Sequence, residues 1–160
     1  MYSITSESAH HPDILNLIAA LDRYQSDLYP AESNHLIDLA ELDEASLILM
    51  IIRDHHLTAV GCGAVVLNGD GTGEMKRVYI DPTHRGQHLG EKLLAALEDE
   101  ALSRHCHTVR LETGIKQPAA IRLYERGGYA LRPAFAPYVD DPLSLFMEKA
   151  LVADVRLAVL

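Results

Sequence analysis

The sequence predicts a single mixed α/β domain, an α+β arrangement with helices inserted between the strands of one sheet. Short runs rich in Val, Ile and Leu, which are typical of buried strands, alternate with longer segments of helical periodicity. Glycine-rich turns separate consecutive strands in the middle of the chain. With 160 residues, of which 48% are hydrophobic, the chain is long enough to bury one core.

The first half of the chain predicts a strand, two helices and a three-stranded meander. The opening segment "YSIT" is a strand, and the apolar stripe after Pro12 predicts a helix to about residue 28. A second short helix is predicted over residues 34–42. The segments "SLILMII", "LTAVGCGAVVL" and "EMKRVYI" are strands, and the turn "NGDGTG" joins the last two. Gly61 and Gly63 indicate a bulge or a close backbone approach in the middle strand.

The second half of the chain adds two helices and three strands. An apolar stripe predicts a helix from about Leu89 to Arg104, and "HTVRLET" is the strand after it. The segment "QPAAIRLYERGG" predicts a short helix that is capped by Gln117, begun by proline and stopped by two glycines. "YALRPAF" and "LSLFMEKAL" are the closing strands. The predicted order is therefore β-α-α-β-β-β-α-β-α-β-β.

The tail, residues 151–160, lies beyond this pattern, so the predicted domain covers residues 1–150. Apolar residues alternate in the tail as they do in a half-buried strand. These residues are Ala153, Val155, Leu157 and Val159. Such a strand pairs either across a homodimer or with the sheet of its own chain, and the sequence leaves both arrangements open.

Charge and composition narrow the classes of function. The formal net charge of −9 disfavours nucleic acid and anionic membranes as partners, and it suits a small cationic substrate. The longest apolar run, Leu47–Ile52, is too short to cross a bilayer, and the first residues do not form a signal peptide. Cys62 and Cys106 lie far apart, which predicts a reduced, cytoplasmic setting. The nine histidines lack metal-ligand spacing, so no metal site is predicted.

The segment "RGQHLG", residues 85–90, joins the third strand of the meander to the long helix. A glycine inside a helix costs roughly 1 kcal/mol relative to alanine, so Gly90 needs a physical reason. The first N–H groups of a helix are unpaired, and the helix dipole favours anions there. The segment matches neither a Walker phosphate loop nor the dinucleotide-binding glycine pattern. It predicts that a pyrophosphate approaches the helix backbone between Gly86 and Gly90.

These residues resemble the GNAT superfamily of acetyl-CoA-dependent N-acetyltransferases, over roughly residues 1–150. The signature of that family is Arg/Gln-x-x-Gly-x-Gly/Ala, and Arg85 and Gly90 match its ends. His88 stands where the middle glycine is usual. A second family motif, Asn-x-x-Ala-x-x-Leu-Tyr-x-x-x-Gly-Phe, matches residues 117–129 in spacing, with Gln117 for the asparagine and a tyrosine for the final phenylalanine.

The resemblance implies that acetyl-CoA is the cofactor, and it assigns roles to three residues. The backbone N–H of Val78 polarises the thioester carbonyl, Ile80 pairs with the pantetheine arm, and Tyr124 is the general acid that protonates the leaving thiolate. The full set of implied cofactor contacts is Val78, Ile80, Arg85, Gly86, Gln87, His88, Leu89, Gly90, Gln117 and Tyr124.

The group that accepts the proton of the amine is left open. Glu74 lies where some family members carry a catalytic glutamate, but it reads equally well as a solvated carboxylate at a strand end. Glu112 on the next strand, or an ordered water, are the alternatives. Loops that line the acceptor pocket in this family supply further candidates, and together with Glu112 the predicted acceptor contacts are Glu32, Ser33, His35, Tyr138 and Asp141.

The function implied by the resemblance is acetyl transfer to an amine of a small molecule, by direct attack in a ternary complex. A second enzymatic alternative is acetylation of a protein lysine or N-terminus. The third is a module that binds or senses acyl-CoA without turnover. Dimers are frequent in the family, so a homodimer is also expected.

Overall fold

Seven strands form one mixed sheet in the part of the chain that the structure describes. The structure is a computed structural model, and it describes residues 1–30 and 38–152. The strands are β1 (Ser3–Ser6), β2 (Leu47–Arg53), β3 (Ala59–Leu67), β4 (Thr72–Ile80), β5 (Thr108–Gly114), β6 (Ala130–Arg132) and β7 (Ser144–Ala150). They lie in the order β1-β2-β3-β4-β5-β7-β6. The helices are α1 (Pro12–Leu28), α2 (Leu89–Ser103) and α3 (Pro118–Arg126).

The predicted mixed α/β fold is confirmed, with one departure from the predicted element order. The predicted second helix over residues 34–42 lies partly outside the described residues. Its described end forms a single 3₁₀ turn, Leu39–Glu41, which the side chain of Asp38 caps. A second 3₁₀ turn, Glu44–Ser46, leads into β2. The predicted strand in the tail falls on residues 153–160, which also lie outside the described part.

The helix ends follow from local side-chain chemistry. Pro12 begins α1, and the His11 ring accepts a hydrogen bond from the backbone N–H of Asp13 at 3.1 Å. Pro118 begins α3, and Gly127 and Gly128 stop it. Gly128 has φ +96°, a conformation that glycine adopts without strain.

Apolar side chains bury both faces of the sheet. On one face the stripe predicted for α2 is buried, and it consists of Leu89, Leu93, Leu97 and Ala101. On the other face α1 buries Ile14 and Leu17 against β2 and β3. A Cβ added at Gly63 would lie 3.0 Å from Leu97 and 3.1 Å from Leu93, so the missing side chain lets α2 approach β3.

The β3–β4 pair also contains the bulge that the glycines predicted. Cys62 pairs with Tyr79 and Ala64 with Lys76, so two residues of β4 lie opposite Gly63. Arg77, within this bulge, has φ +56°. Left-handed backbone at a residue other than glycine costs about 1–3 kcal/mol and is concentrated at functional sites.

The neighbouring parallel strands β4 and β5 pair over only part of their length. Their register runs from Thr72↔Thr108 to Met75↔Leu111 and then stops. Beyond Met75, β4 continues to Ile80 with β3 as its paired neighbour. The edge of β4 that faces β5 is therefore open over residues 76–80, and a wedge-shaped gap lies beside it.

A buried polar cluster joins α2, the end of α3 and β7. The Tyr129 hydroxyl donates to Glu98 Oε2 at 2.9 Å, and Lys149 Nζ lies 2.7 Å from Glu98 Oε1. Only 13% of the Glu98 side chain is exposed, so each partner satisfies a carboxylate oxygen that water reaches poorly.

Candidate active site

A cleft, here called the outer cleft, lies between the open end of β4, the start of α2 and the start of α3. It brings together every cofactor contact that the sequence predicts except Gln87. The residues from this set that line it are Val78, Ile80, Arg85, Gly86, His88, Leu89, Gly90, Gln117 and Tyr124. Gln87 is exposed, and its side chain accepts a hydrogen bond from Tyr2 instead.

The backbone at the end of β4 presents its donors to the gap. Asp81 donates its N–H to the Val60 carbonyl of β3 at 2.8 Å. Successive residues of a strand point their backbone groups to opposite edges. The N–H groups of Ile80 and Val78 therefore face the open edge. In agreement with this direction, the Ile80 carbonyl accepts a hydrogen bond from Arg85 Nε at 3.1 Å.

The start of α2 is open to an anion. His88 is the N-cap residue, and its side chain makes no capping hydrogen bond. Gly86 has φ +84°, and a Cβ added there would have no heavy atom within 4 Å. Because no side chain fills this corner, the first N–H groups of the helix are left to a ligand.

His88 adopts the conformation that explains why glycine is usual at its place in the family signature. Its φ is +60°, in the left-handed region. The side chain points to solvent with 77% exposure, and its Nδ1 lies 3.3 Å from Glu91 Oε2. The imidazole therefore leaves the helix start accessible, at the cost of backbone strain.

Gly90 has a structural reason beyond the one that the sequence predicted. A Cβ added at Gly90 would lie 2.9 Å from a methyl carbon of Leu123 on α3. The glycine therefore permits the close packing of α2 against α3, which forms two walls of the outer cleft.

Tyr2, just before β1, supports the loop before α2. The Tyr2 hydroxyl donates to Gln87 Oε1 at 3.2 Å and lies 3.0 Å from His84 Nδ1. Because its only proton goes to the amide, the tyrosine oxygen accepts from His84 Nδ1–H. The His84 ring is thereby fixed at the rim of the outer cleft.

A second cavity, here called the inner pocket, lies on the α1 side of the gap. It is lined by polar residues of β4, β5, the end of α1 and the 133–144 segment, which include Tyr29, Glu74, Lys76, Arg77, Glu112, Tyr138 and Ser144. The two cavities share Val78, Gln117 and Tyr124 among their lining residues. The two cavities are therefore adjacent, and these residues lie between them.

Glu74 is bound within a cluster of three side chains. Its Oε2 accepts from the Tyr138 hydroxyl and lies 2.9 Å from Lys76 Nζ. Lys76 Nζ also donates to the Tyr138 oxygen at 2.8 Å. Burial, followed by the hydrogen bond to Glu74, raises the pKa of Tyr138, so this phenol stays protonated.

A buried ion pair ties α1 to the bulge of β4. Arg77 Nε lies 3.2 Å from Asp22 Oδ1, and the Arg77 side chain is 7% exposed. Burial raises the pKa of Asp22, and the Arg77 guanidinium opposes that rise. The pair holds in place the residue that directly precedes Val78.

Glu112 lies among tyrosines. Its Oε2 accepts from Ser144 Oγ at 2.7 Å. Burial raises the pKa values of Tyr29, Tyr124 and Tyr138, and the negative charge of Glu112 raises each of them further. The carboxylate thus lies close enough to act on all three rings.

Tyr124 lies where the two cavities meet. It is 8% exposed, and its ring packs edge-on against Tyr129 with 5.9 Å between centroids. Within residues 1–30 and 38–152, its hydroxyl has no hydrogen-bond partner. Burial, with Glu112 adding to it, raises the pKa of Tyr124, so the phenol remains a proton donor at neutral pH.

Several predicted acceptor contacts lie elsewhere. Glu32, Ser33 and His35 fall on residues 31–37, outside the described part of the chain. Asp141 accepts from the backbone N–H of Leu143 at 2.8 Å and lines a separate surface groove. Of the predicted set, Glu112 and Tyr138 line the inner pocket.

Sequence reasoning placed Lys76 beside Glu74 but did not predict that Lys76 and Arg77 line the inner pocket. Lys76 follows Glu74 by two residues on one strand, and that spacing places both side chains on one face of the sheet. This spacing can be read from the sequence alone. The Asp22–Arg77 pair joins residues far apart in sequence, and no local pattern indicates it.

The described residues contain no group of three or more His, Cys, Asp or Glu side chains placed to hold a metal ion. None of the helices in that part of the chain is long and apolar enough to cross a membrane.

Comparison with known proteins identifies the family. The model of the acetyltransferase (GNAT) family matches residues 14–129. The chain is 46% identical over 150 residues to a protein of Azospirillum brasilense named IAA acetyltransferase, covering 93% of this chain and 97% of the relative. These matches extend over both sequence motifs.

Solved structures agree in fold. A Klebsiella pneumoniae protein described as a candidate acyl-CoA N-acyltransferase is 56% identical, with a TM-score of 0.87, covering 95% of this chain and 99% of its own. The Salmonella typhimurium protein yncA, solved with acetyl-CoA, is 20% identical with a TM-score of 0.64, covering 96% and 95%. The second likeness concerns the fold alone. The family model and the 46% identical relative together show that the chain belongs to the GNAT family and is an acetyltransferase.

Proposed function

We propose that the protein transfers the acetyl group of acetyl-CoA to the amine of a small molecule that binds in the inner pocket. The observation that carries the proposal is the meeting of the outer cleft and the inner pocket at Val78 and Tyr124. A donor and an acceptor that enter from the two sides would meet there without a covalent enzyme intermediate.

The outer cleft fits acetyl-CoA in its chemistry. The open N-terminus of α2 suits a pyrophosphate, and the exposed Arg85 adds a positive charge beside it. The unpaired edge of β4 suits the amide groups of a pantetheine arm, with Ile80 donating one N–H. Acetyl-CoA supplies an activated thioester. The N–H of Val78 would stabilise charge on its carbonyl oxygen, an effect worth about 3 kcal/mol in known oxyanion holes.

Tyr124 is the proposed general acid. Its hydroxyl has no hydrogen-bond partner in the described residues and lies on the wall common to both cavities. Because its raised pKa keeps the phenol protonated, it can donate a proton to the sulfur as the thioester bond breaks.

The inner pocket suits a small ammonium group. Its cavity volume is about 80 Å³, which is below the range of drug-sized ligand sites and leaves room for only a small acceptor group. Within it Lys76 pairs with Glu74, while Arg77 pairs with Asp22. Glu112 adds a further negative charge. We therefore favour an acceptor with one positive charge over a polyamine, because additional charges would face the two cations.

The test is thermal unfolding with and without acetyl-CoA, beside NAD and ATP as controls. At a hundred times the dissociation constant, acetyl-CoA should stabilise the protein by about 2.7 kcal/mol, a rise of roughly 5–10 °C for a chain of this size. Thiol release is then measured with a panel of primary amines, and IAA is added because of the Azospirillum relative.

The outcomes separate the competing functions. A shift that is specific to acetyl-CoA, with thiol release by a primary amine, supports the proposal. A shift without release by any amine would favour a binding module. The absence of any shift at millimolar acetyl-CoA would count against the cofactor assignment. The expected homodimer and cytoplasmic location stay predictions.

A smaller effect is predicted for Tyr2→Phe. Loss of the hydroxyl releases Gln87 and the His84 ring, which loosens the loop before α2. We expect the dissociation constant of acetyl-CoA to rise by about threefold to tenfold, the equivalent of one lost hydrogen bond, while kcat is retained. Calorimetric titration of acetyl-CoA into the wild type and the variant measures it. An unchanged affinity would show that the loop is held by its own backbone.

A further inference from the structure

The peptide group that joins Arg77 to Val78 lies in the bulge of β4, beside the place where the two cavities meet. Both residues line the inner pocket, and Val78 also lines the outer cleft. In a planar trans peptide, the carbonyl of one residue and the N–H of the next point in opposite directions. The orientation of this one peptide plane therefore decides where the Val78 N–H points.

Cys62 on β3 fixes the carbonyl side of that plane. The Cys62 Sγ–H donates to the Arg77 carbonyl oxygen, with 3.5 Å between the two heavy atoms. The thiol is fully buried, and burial raises the pKa of Cys62 to about 12, so the sulfur keeps the proton that it donates. With the carbonyl turned to Cys62, the Val78 N–H points away from β3 and toward the open edge of β4.

Asp22 on α1 holds the side chain of the same residue. Arg77 Nε lies 3.2 Å from Asp22 Oδ1, and the Arg77 and Asp22 side chains are 7% and 28% exposed. Solvent screens an ion pair of such low exposure only weakly. Arg77 has φ +56°, which is strained for a residue other than glycine, and such a conformation persists only where its surroundings hold it.

We infer that the Asp22–Arg77 ion pair positions the Val78 N–H for the thioester carbonyl, an inference that rests on the proposed acetyl transfer. The pair keeps Arg77 in its left-handed conformation, and the contact with Cys62 keeps the carbonyl turned away from the gap. Asp22 is not among the described residues that line either cavity. It is therefore a positioning residue, which acts on the reaction through Arg77 and the peptide plane.

The experiment compares Asp22→Asn with Asp13→Asn. Asp13 also lies on α1, and its Oδ2 is 3.3 Å from Nη2 of an arginine of the sheet, Arg53 on β2. Neither Asp13 nor Arg53 is among the described residues that line the two cavities. With the best primary amine of the panel, we expect kcat to fall by about tenfold to 10²-fold in Asp22→Asn, as for an oxyanion donor that is displaced but not removed. Asp13→Asn should keep kcat within about twofold.

Two further readouts separate positioning from a general loss of structure. The dissociation constants of CoA and acetyl-CoA, measured by calorimetric titration, should stay within about threefold in both variants, which shows that each folds. Infrared difference spectroscopy of bound ¹³C-labelled acetyl-CoA reports the hydrogen bond to the thioester carbonyl. Its stretching frequency should be lowered in the wild type and in Asp13→Asn, and it should return toward the value of free acetyl-CoA in Asp22→Asn.

Substitution of Arg77 tests whether its backbone or its charge matters. Arg77→Gly and Arg77→Ala both leave Asp22 without Arg77, but glycine adopts φ +56° without strain and alanine does not. We expect Arg77→Gly to retain a kcat about fivefold or more above that of Arg77→Ala. This comparison carries the test even if Asp22→Asn does not fold, because the two variants differ only in backbone preference and one methyl group.

The outcomes distinguish the inference from the function on which it rests. A wild-type kcat or a wild-type carbonyl frequency in Asp22→Asn would overturn the inference. Equal losses of kcat in Asp13→Asn, or equal kcat in Arg77→Gly and Arg77→Ala, would also overturn it. Failure of the wild type with every amine would instead reject the proposed function.

Discussion

Tyr124→Phe is expected to lower kcat by about 10²–10⁴ and to leave the free energy of unfolding unchanged or slightly higher. The phenol is buried at the junction of the two cavities, and its hydroxyl has no partner in the described part of the chain. Removing it therefore breaks no hydrogen bond of the fold. Steady-state thiol release gives kcat, and denaturant unfolding gives the stability.

Acetyl-CoA binding provides the control for this variant. The dissociation constant should change little, because the proposed role of the hydroxyl begins only as the thioester bond breaks. Unchanged kcat would remove Tyr124 from the proton transfer and leave it as a packing residue. A loss of stability would mean that the hydroxyl has a partner, such as ordered water.

Tyr129→Phe is expected to have the opposite phenotype. Its hydroxyl donates to Glu98 Oε2 at 2.9 Å in a buried cluster, so the substitution leaves a carboxylate oxygen poorly satisfied. Hydrogen bonds to charged groups contribute about 1.5–3 kcal/mol, which corresponds to a decrease in Tm of roughly 3–12 °C. The aromatic ring remains beside Tyr124, so kcat should be retained.

Tyr24→Phe is the matched control, because Tyr24 is 45% exposed and its substitution should change Tm by less than about 1 °C. Differential scanning calorimetry measures all three proteins. If Tyr129→Phe unfolds at the wild-type temperature, Lys149 and water are sufficient to satisfy the Glu98 carboxylate. Tyr124 and Tyr129 lie five residues apart, and the pair of variants distinguishes a loss of catalysis from a loss of stability.

Much of the fold could be predicted because its signals are local. The apolar stripe of α2, the proline that begins α3 and the turn between β3 and β4 each act over a few residues. The outer cleft was also predictable, because its residues lie in two continuous motifs that the strand–helix connections bring together. The prediction of a second helix was wrong at the end that the structure describes, because Asp38 caps only a single 3₁₀ turn there.

The inner pocket was less predictable because it depends on pairs distant in sequence. Tyr138 contacts Glu74 across 64 positions, and no periodicity indicates that contact. The role of Gly90 was incomplete for the same reason, because Leu123, which it contacts, belongs to another helix. Local patterns predict which residues face a helix mouth or a strand edge, but not which distant side chains neutralise each other.

The short ladder between β4 and β5 has a consequence for cooperativity. Four register pairs, Thr72 to Met75, connect the antiparallel half-sheet β1–β4 to the half-sheet β5–β7. Helix α2 lies in the chain segment that connects the two halves, between β4 and β5. A ligand lying along the open edge of β4 would take the place of the missing strand. The loaded protein would then have a continuous sheet, so the donor substrate would act as a structural element that couples the two halves during unfolding.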